Sequence, residues 1–249
     1  MRIIHAPMKT LAVIPARGGS KSIPRKNLVD VAGRPLIAWV IGAALEAKRL
    51  DRVIVSTEDE EIAETARKWG AEVPFVRPPE LATDTVSLIP VVQHALRAMD
   101  GLGFRADAVV SMQATSPGLR GADLDAAVAK LEESGADSVA TVLKVEHEHP
   151  YWAKRLEGDR VRPFSAETNE SYLQRQDLPP AYVFDGAIFV RHRRLLEEWT
   201  GKDFCLGKDV RGLPLSAESS LHIDDPIHLE VARVVLGRRV AAGKSGGKP

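Results

Sequence analysis

Apolar residues follow two rhythms along this chain. Leu11-Ala12-Val13-Ile14 is a short unbroken apolar run, the pattern of a strand covered on both faces, and Pro15 ends it. Over residues 35–49 the apolar positions Ile37, Val40, Ile41, Ala44 and Leu45 recur at helical spacing, with Pro35 suited to a first turn. Residues 53–55 predict a second strand. A helix over 58–69 follows, which Thr57 can cap; its first turn is acidic and Gly70 marks its end. Residues 73–76 predict a short third strand, 87–99 a helix, 108–112 a fourth strand, 123–134 a helix stopped by Gly135, and 138–145 a fifth strand. This alternation predicts an α/β fold with a mainly parallel sheet and helices on both faces. Ligands in such sheets bind beyond the carboxyl ends of the strands.

The alternation breaks over residues 146–183, which hold HEHPYW, a Gly158-Asp159 turn and SYLQRQDLPPAY. That is long for a plain connection, and such insertions are commonly functional. It resumes with a strand over 186–190, a short helix over 192–199, a strand candidate over 213–216 and a last helix ending near Arg238. Residues 1–240 are expected to form one domain. Residues 1–8 carry no motif, and the small, basic tail 241–249 is expected to be disordered.

Composition narrows the function. The 249 residues suffice for one sizeable core, and Lys plus Arg equals Asp plus Glu, so the net charge is zero. That argues against nucleic acid as a partner. No apolar run approaches the ~20 residues of a membrane span, and no signal-peptide core precedes Leu11. The single Cys205 reads as a small filler residue. A soluble, cytoplasmic protein is expected.

The densest chemistry follows the first strand. Gly18-Gly19-Ser20 forms a turn into which Arg17, Lys21, Arg25 and Lys26 are packed, with Asn27 behind them. Cations so crowded repel one another unless a polyanion lies between them, which marks a phosphate-binding loop. It is neither a Walker loop nor a G-x-G-x-x-G fingerprint, because Pro24 follows and no helix begins until Pro35. Arg25 is equally compatible with a solvated position.

The stretch IPARGGSKSIPRKNL also resembles the N-terminal signature of the acylneuraminate cytidylyltransferases, enzymes that join CMP from CTP to sialic acid and related nine-carbon acids. The resemblance runs from about Leu11 to Leu236. It implies a Rossmann-like nucleotidyltransferase, a homodimer clasped by the inserted arm, CTP and an acidic keto-sugar as substrates, and Mg2+ as cofactor. It also implies that Arg17 and Lys26 hold phosphates, with Ser20 and Asn27 at the nucleotide and Arg77 near the cytosine ring. From the loop's own chemistry, Lys21 is a further cation for the pyrophosphate and Gly18 lets the backbone approach the nucleotide. Asp84 and Thr85 match the pattern, although Asp84 can simply order its loop.

By the same resemblance Gln113, Thr115, Ser116 and Arg175 line the sugar site, although Ala114 replaces a proline and Gly118 is an extra residue. Val183 and Phe189 stand where an arginine and a tyrosine are usual, which leaves the particular acid open. The family's D-I-D-T metal signature reads His222-Ile223-Asp224-Asp225 here. Alternation in an extended segment points residues 222 and 224 to one side. By its match to the second aspartate of that signature, the resemblance implies Asp224 as the metal ligand; His222 is read as a contact to a bound water or a plain polar residue, and Asp225 as a helix cap. His147 and His149 lack a third ligand and are read as ordinary polar residues. Tyr151, Trp152, Tyr172 and Tyr182 are read as interface packing. Two alternatives stay open, cytidylyl transfer to an eight-carbon acid such as Kdo and a nucleotide-binding protein without catalysis.

Overall fold

The computed structural model describes residues 8–145, 147–165, 172, 174–201 and 203–245. The chain enters through β1 (Thr10–Pro15), turns through a small antiparallel pair, β2 (Asp30–Val31) and β3 (Arg34–Pro35), and forms α1 (Leu36–Glu46). β4 (Arg52–Ser56) leads to α2 (Glu60–Lys68). The cap of α2 is Asp59, whose carboxylate accepts from Ile62 N at 3.0 Å, whereas the Thr57 hydroxyl accepts from Asp59 N. α3 (Leu88–Gly101), β5 (Ala108–Met112), α4 (Gly121–Ser134) and β6 (Ser138–Lys144) follow close to the predicted spans. Beyond them lie the hairpin β7 (Lys154–Glu157) and β8 (Arg160–Pro163), then β9 (Tyr182–His192), α5 (Arg193–Glu198), β10 (Val210–Pro214) and α6 (Pro226–Ser245).

Six strands form one sheet in the order β10-β6-β9-β5-β1-β4. β1 runs parallel to β4 and β5, and β10 parallel to β6; β9 alone is antiparallel to its neighbours β5 and β6. The sheet is thus mostly parallel, as the alternation predicts. Successive β1 side chains divide between two cores. Ala12 and Ile14 pack with α1, α2 and α4, while Leu11 and Val13 pack with α3 and α5. All four are fully buried, which accounts for the unbroken apolar run.

Four predicted spans need correction. Residues 73–76 form no strand; only Glu72 bridges to Ile54, and Pro74 has no N–H with which to extend the ladder. Phe75 packs instead edge-on against His94, at 5.0 Å between ring centres. β9 begins at Tyr182 and not at residue 186, because it enters from the arm as an antiparallel neighbour and pairs Tyr182 with Lys144. β10 begins at Val210 and ends at Pro214, because its ladder pairs with the start of β6, Val210 with Ser138. α6 continues to Ser245, past Arg238, and takes in the first part of the expected tail. The expectations for residues 1–7 and 246–249 lie outside the described residues.

The arm is exposed along both hairpin strands. Its base is pinned by the buried His149, whose Nε2–H donates to Pro179 O at 3.0 Å while Nδ1 accepts from Tyr151 N. Tyr151 stacks on Tyr172, with ring centres 5.8 Å apart. Residues 166–171 of the expected arm lie outside the described residues.

α6 is the element that completes the site. Leu229, Ala232 and Leu236, with Ile223 just ahead of the helix, pack on Val31, Leu36 and Trp39. Trp39 Nε1 donates to Val31 O at 2.9 Å. Asp225 caps α6, accepting from His228 N at 2.9 Å, as its place before Pro226 predicts. The segment before that cap is thereby laid beside the loop that follows β1.

Candidate active site

A cleft of about 380 Å³ opens beyond the carboxyl ends of β1 and β5. Its walls bring together Arg17, Ser20, Lys26 and Asn27 from the first loop, Arg77 and Asp84 from the segment before α3, Gln113 and Thr115 after β5, and His222 and Asp224 before α6. These are four stretches far apart in sequence, and the parallel strands deliver them to one edge.

The first loop is built by its own contacts. Gly18 N donates to Glu58 Oε1 at 2.8 Å, and a Cβ on Gly18 would fall 2.3 Å from Asp59 Oδ2, so a larger residue would have to displace the Asp59 carboxylate. Asn27 is nearly buried, and its Nδ2 donates to Arg17 O at 2.9 Å. Arg25 is in the left-handed region, with φ 53, and its guanidinium turns to Asp59 and Glu61 of the α2 entry. Arg25 therefore fastens the loop and does not line the cleft.

Arg17 and Lys21 both ion-pair with Asp84, Lys21 at 2.6 Å. These contacts, Lys21 first and Arg17 second, hold the Asp84 carboxyl below the ordinary aspartate value. Lys26 is more enclosed, and its ammonium donates to Ile223 O at 3.0 Å and Asp224 O at 3.1 Å. Burial lowers its pKa from the ordinary lysine value, with the nearby Asp224 charge opposing.

Arg77 is 3% exposed, buried where a surface turn would be the plain reading of the residues around it. Its guanidinium pairs with Glu58 and donates to Ala16 O at 3.0 Å. Glu58 thus receives both Gly18 N and Arg77 and joins the first loop to the proline-rich segment. Glu58 was missed as a site residue because an acid in a first helical turn already has an explanation in the helix dipole. The buried arginine that needs it is nineteen positions away.

On the opposite wall Thr115 Oγ1 donates to Gln113 Oε1 at 3.3 Å. Gly118 fits only as glycine, since its Cβ would lie 1.9 Å from Glu218 O. The extra residue is thus accommodated by close backbone packing, which Arg239 completes by donating to Gly118 O. His222 and Asp224 do face one side, with His222 Nε2 at 3.1 Å from Asp224 Oδ1. The same imidazole has Nδ1 at 3.1 Å from the fully buried Ser116 Oγ and Nε2 at 3.2 Å from Thr115 Oγ1. Burial keeps its pKa below the ordinary histidine value.

Four predicted contact residues stand off the cleft wall. Gly18 has its N–H on Glu58, Lys21 is 83% exposed at the rim, and Ser116 is covered by His222. Arg175 lies in a short turn, Arg175–Asp177, on the arm, away from the cleft of its own chain. A second groove, of about 460 Å³, lies between α1 and α6, but Arg120 and Arg239 there are both paired with Glu218 and Arg34 stacks on Trp39. It lacks the converging unlike groups of the first cleft.

Among the described residues no helix is long and apolar enough to cross a membrane, and no three His, Cys, Asp or Glu side chains gather as a metal site. His222 and Asp224 are the donor pair that faces the cleft. One carboxylate with substrate phosphates is an ordinary setting for a hard dication, so the donor set is compatible with one.

A mostly parallel α/β sheet carrying a cation-lined cleft at its strand ends is the arrangement of an α/β protein that binds a phosphorylated ligand. The chain belongs to the cytidylyltransferase family, whose model, described as "Cytidylyltransferase", matches residues 11–199. It is 34% identical over 228 residues to the pseudaminic acid cytidylyltransferase of Campylobacter jejuni, covering 92% of this chain and 96% of that protein. It is 34% identical over 222 residues to the CMP-N,N'-diacetyllegionaminic acid synthase of Legionella pneumophila, covering 88% and 93%. The N-acylneuraminate cytidylyltransferase B of Danio rerio is 36% identical over 89% of this chain and 50% of its own length. The fold matches that of a CMP:2-keto-3-deoxy-manno-octonic acid synthetase solved in complex with CTP, at a TM-score of 0.70 and 20% identity over 93% and 99% of the two chains.

Proposed function

We propose that the protein transfers CMP from CTP to the anomeric hydroxyl of a nonulosonic acid, one of the pseudaminic, legionaminic or N-acylneuraminic type. The support is the convergence of Arg17, Lys26, Asp224, Gln113 and Thr115 on one cleft, where the His222 ring stands between Asp224 and Thr115. Relatives named for such acids match nearly the whole chain, whereas the Kdo synthetase is similar in fold alone.

In this reading the hydroxyl oxygen forms a bond to the α-phosphorus as the α–β anhydride breaks, pyrophosphate leaves, and the hydroxyl proton passes to solvent water. Arg17 and Lys26 hold the phosphates that depart, with Lys21 at the rim, Ser20 and Asn27 beside the nucleotide, and Arg77 towards the cytosine. The triphosphate takes over the cations that Asp84 now engages. Gln113 and Thr115 contact the sugar, with Ser116 behind them.

Cytidylyltransferases of this type generally use a divalent metal. Asp224 would hold that ion, for which the family resemblance implies Mg2+, together with nucleotide phosphates, and the ion would neutralise charge developing on them. The protein acts as a cytoplasmic homodimer, residues 1–240 forming one unit whose arm carries Arg175 towards the partner's sugar site. Leu156, Val161 and Phe164 on that arm are 72, 62 and 67% exposed, as an unpaired contact surface would be.

The test is pyrophosphate release from CTP with a dication and a panel of pseudaminic, legionaminic, N-acetylneuraminic and Kdo acids. Release with a nine-carbon acid is expected. No release with any acid, despite CTP binding, would overturn the reading in favour of a non-catalytic nucleotide-binding protein.

A further inference from the structure

We infer that His222 is a second protein ligand to the dication, and that with Asp224 it makes the site select Mn2+ over Mg2+. The inference deepens the cytidylyltransferase reading and rests on it. The replacement of a carboxylate by His222 is at first sight a loss, one anionic donor fewer at a site meant for a hard ion. The geometry makes it a change of donor instead. His222 Nε2 and Asp224 Oδ1 are 3.1 Å apart and both face the cleft. Two donors bound cis to one ion at roughly 2.1 Å stand about 3.0 Å apart, so the pair already has the span of a chelate edge.

The surroundings of the ring fit a ligand better than a spacer. A metal-binding imidazole gives one nitrogen to the ion and fixes the other through a hydrogen bond. Here Nδ1 is 3.1 Å from Ser116 Oγ, which is fully buried and can accept from Nδ1–H. When Nδ1 carries the proton, the Nε2 lone pair points at the space it shares with Asp224. No proton need leave the ring for this, since the neutral imidazole only changes tautomer from Nε2–H to Nδ1–H. The Asp224 side chain is 68% exposed and so has open lone pairs for an ion that nucleotide phosphates also bind.

Selectivity follows from the donor types. Magnesium favours oxygen and holds nitrogen poorly, whereas first-row transition ions accept imidazole and carboxylate together. Mn2+ is the transition ion nearest to Mg2+ in its use of oxygen donors, so it keeps the phosphate contacts and gains the nitrogen.

The test is pulsed EPR of Mn2+ bound to the full-length protein with CTP present and no acid. Nitrogen modulation from one imidazole is expected, and it should change when the protein carries 15N-labelled histidine, a control that needs no substitution. His222→Gln should lose the modulation. His222→Asp should lose it too, and should lower the ratio of Mn2+ to Mg2+ affinity at least tenfold by competition titration. Bound Mn2+ without nitrogen coupling in the wild type would overturn the inference, as would an unchanged affinity ratio in His222→Asp. Either result, in a protein that still releases pyrophosphate from CTP with an acid, leaves the proposed reaction standing. Absence of release with every acid fails that reaction instead.

Discussion

The Lys26 ammonium donates to the main-chain oxygen of Asp224 at 3.1 Å, joining positions 198 apart in the chain. One side chain thus both supplies positive charge to the cleft and ties the α6 entry to the first loop. Lys26→Ala is expected to lower turnover by on the order of 10²–10³, the loss typical of a preorganised charge contact. Because the tie is to two carbonyls and not to a core, far-UV circular dichroism should stay native. Turnover within threefold of wild type would remove Lys26 from the mechanism. Asp224→Ala, which leaves those carbonyls in place, should lose turnover without the accompanying loosening of residues 222–224.

Asp84 competes with nucleotide phosphate for Arg17 and Lys21. Both cations are substantially exposed, so solvent screens each pair and leaves it weak. Asp84→Asn should therefore tighten CTP binding modestly, by about threefold at low salt, with the gain fading as ionic strength rises. Calorimetric titration of CTP at two salt concentrations checks this. Weaker binding in the variant would mean that Asp84 serves mainly to order the loop around Thr83 and Thr85.

The parts of this site legible in the sequence are those where one local stretch carries a chemically improbable density. The first loop is legible because four cations in ten residues demand an explanation. The His222–Asp224 pairing is legible because alternation in an extended segment is a local rule. Pairings across the chain are not. Arg77 gives no local sign that it is buried, and its partner Glu58 looks like an ordinary helix start. The sheet shows the same limit. β1 reads directly, as a strand between two apolar layers, but the first residues of β9, Tyr182, Val183 and Phe184, are 49, 47 and 53% exposed and show no alternation. Its antiparallel sense comes from where the arm returns, which no local pattern encodes. Pro74 is the local sign against a strand at 73–76, and in the structure it outweighs the apolar residues around it.

Glu58 and Arg77 form the least replaceable ion pair of the cleft, since the Arg77 side chain is 3% exposed and the Glu58 side chain 22%. Removing the acid leaves a buried guanidinium without its countercharge and Gly18 N without its acceptor. Glu58→Ala should cost about 3 kcal/mol of stability, at the lower end for a broken buried pair. It should also raise the KM for CTP, because the loop that carries Arg17 loses its anchor. Urea denaturation and initial rates test both together. A variant with normal stability and normal KM would show that Ala16 O and the loop packing suffice.

His94, His192 and His222 each have a pKa lowered from the ordinary histidine value of 6.5, in every case mainly through burial. A depressed value in the folded protein means that the unfolded chain takes up protons first as the pH falls. Stability is therefore complete above about 6.5 and declines as the pH drops below it, levelling once the folded values are passed, by up to ~1.4 kcal/mol per pH unit for each histidine. Asp59 and Asp84, with lowered carboxyl values, act only further down, from about 3.8. Urea midpoints at pH 7.5 and 5.5 should differ accordingly, and His192→Gln, away from the cleft, should shrink that difference. Equal midpoints at the two pH values would mean that these imidazoles titrate as freely in the folded protein as in the unfolded chain.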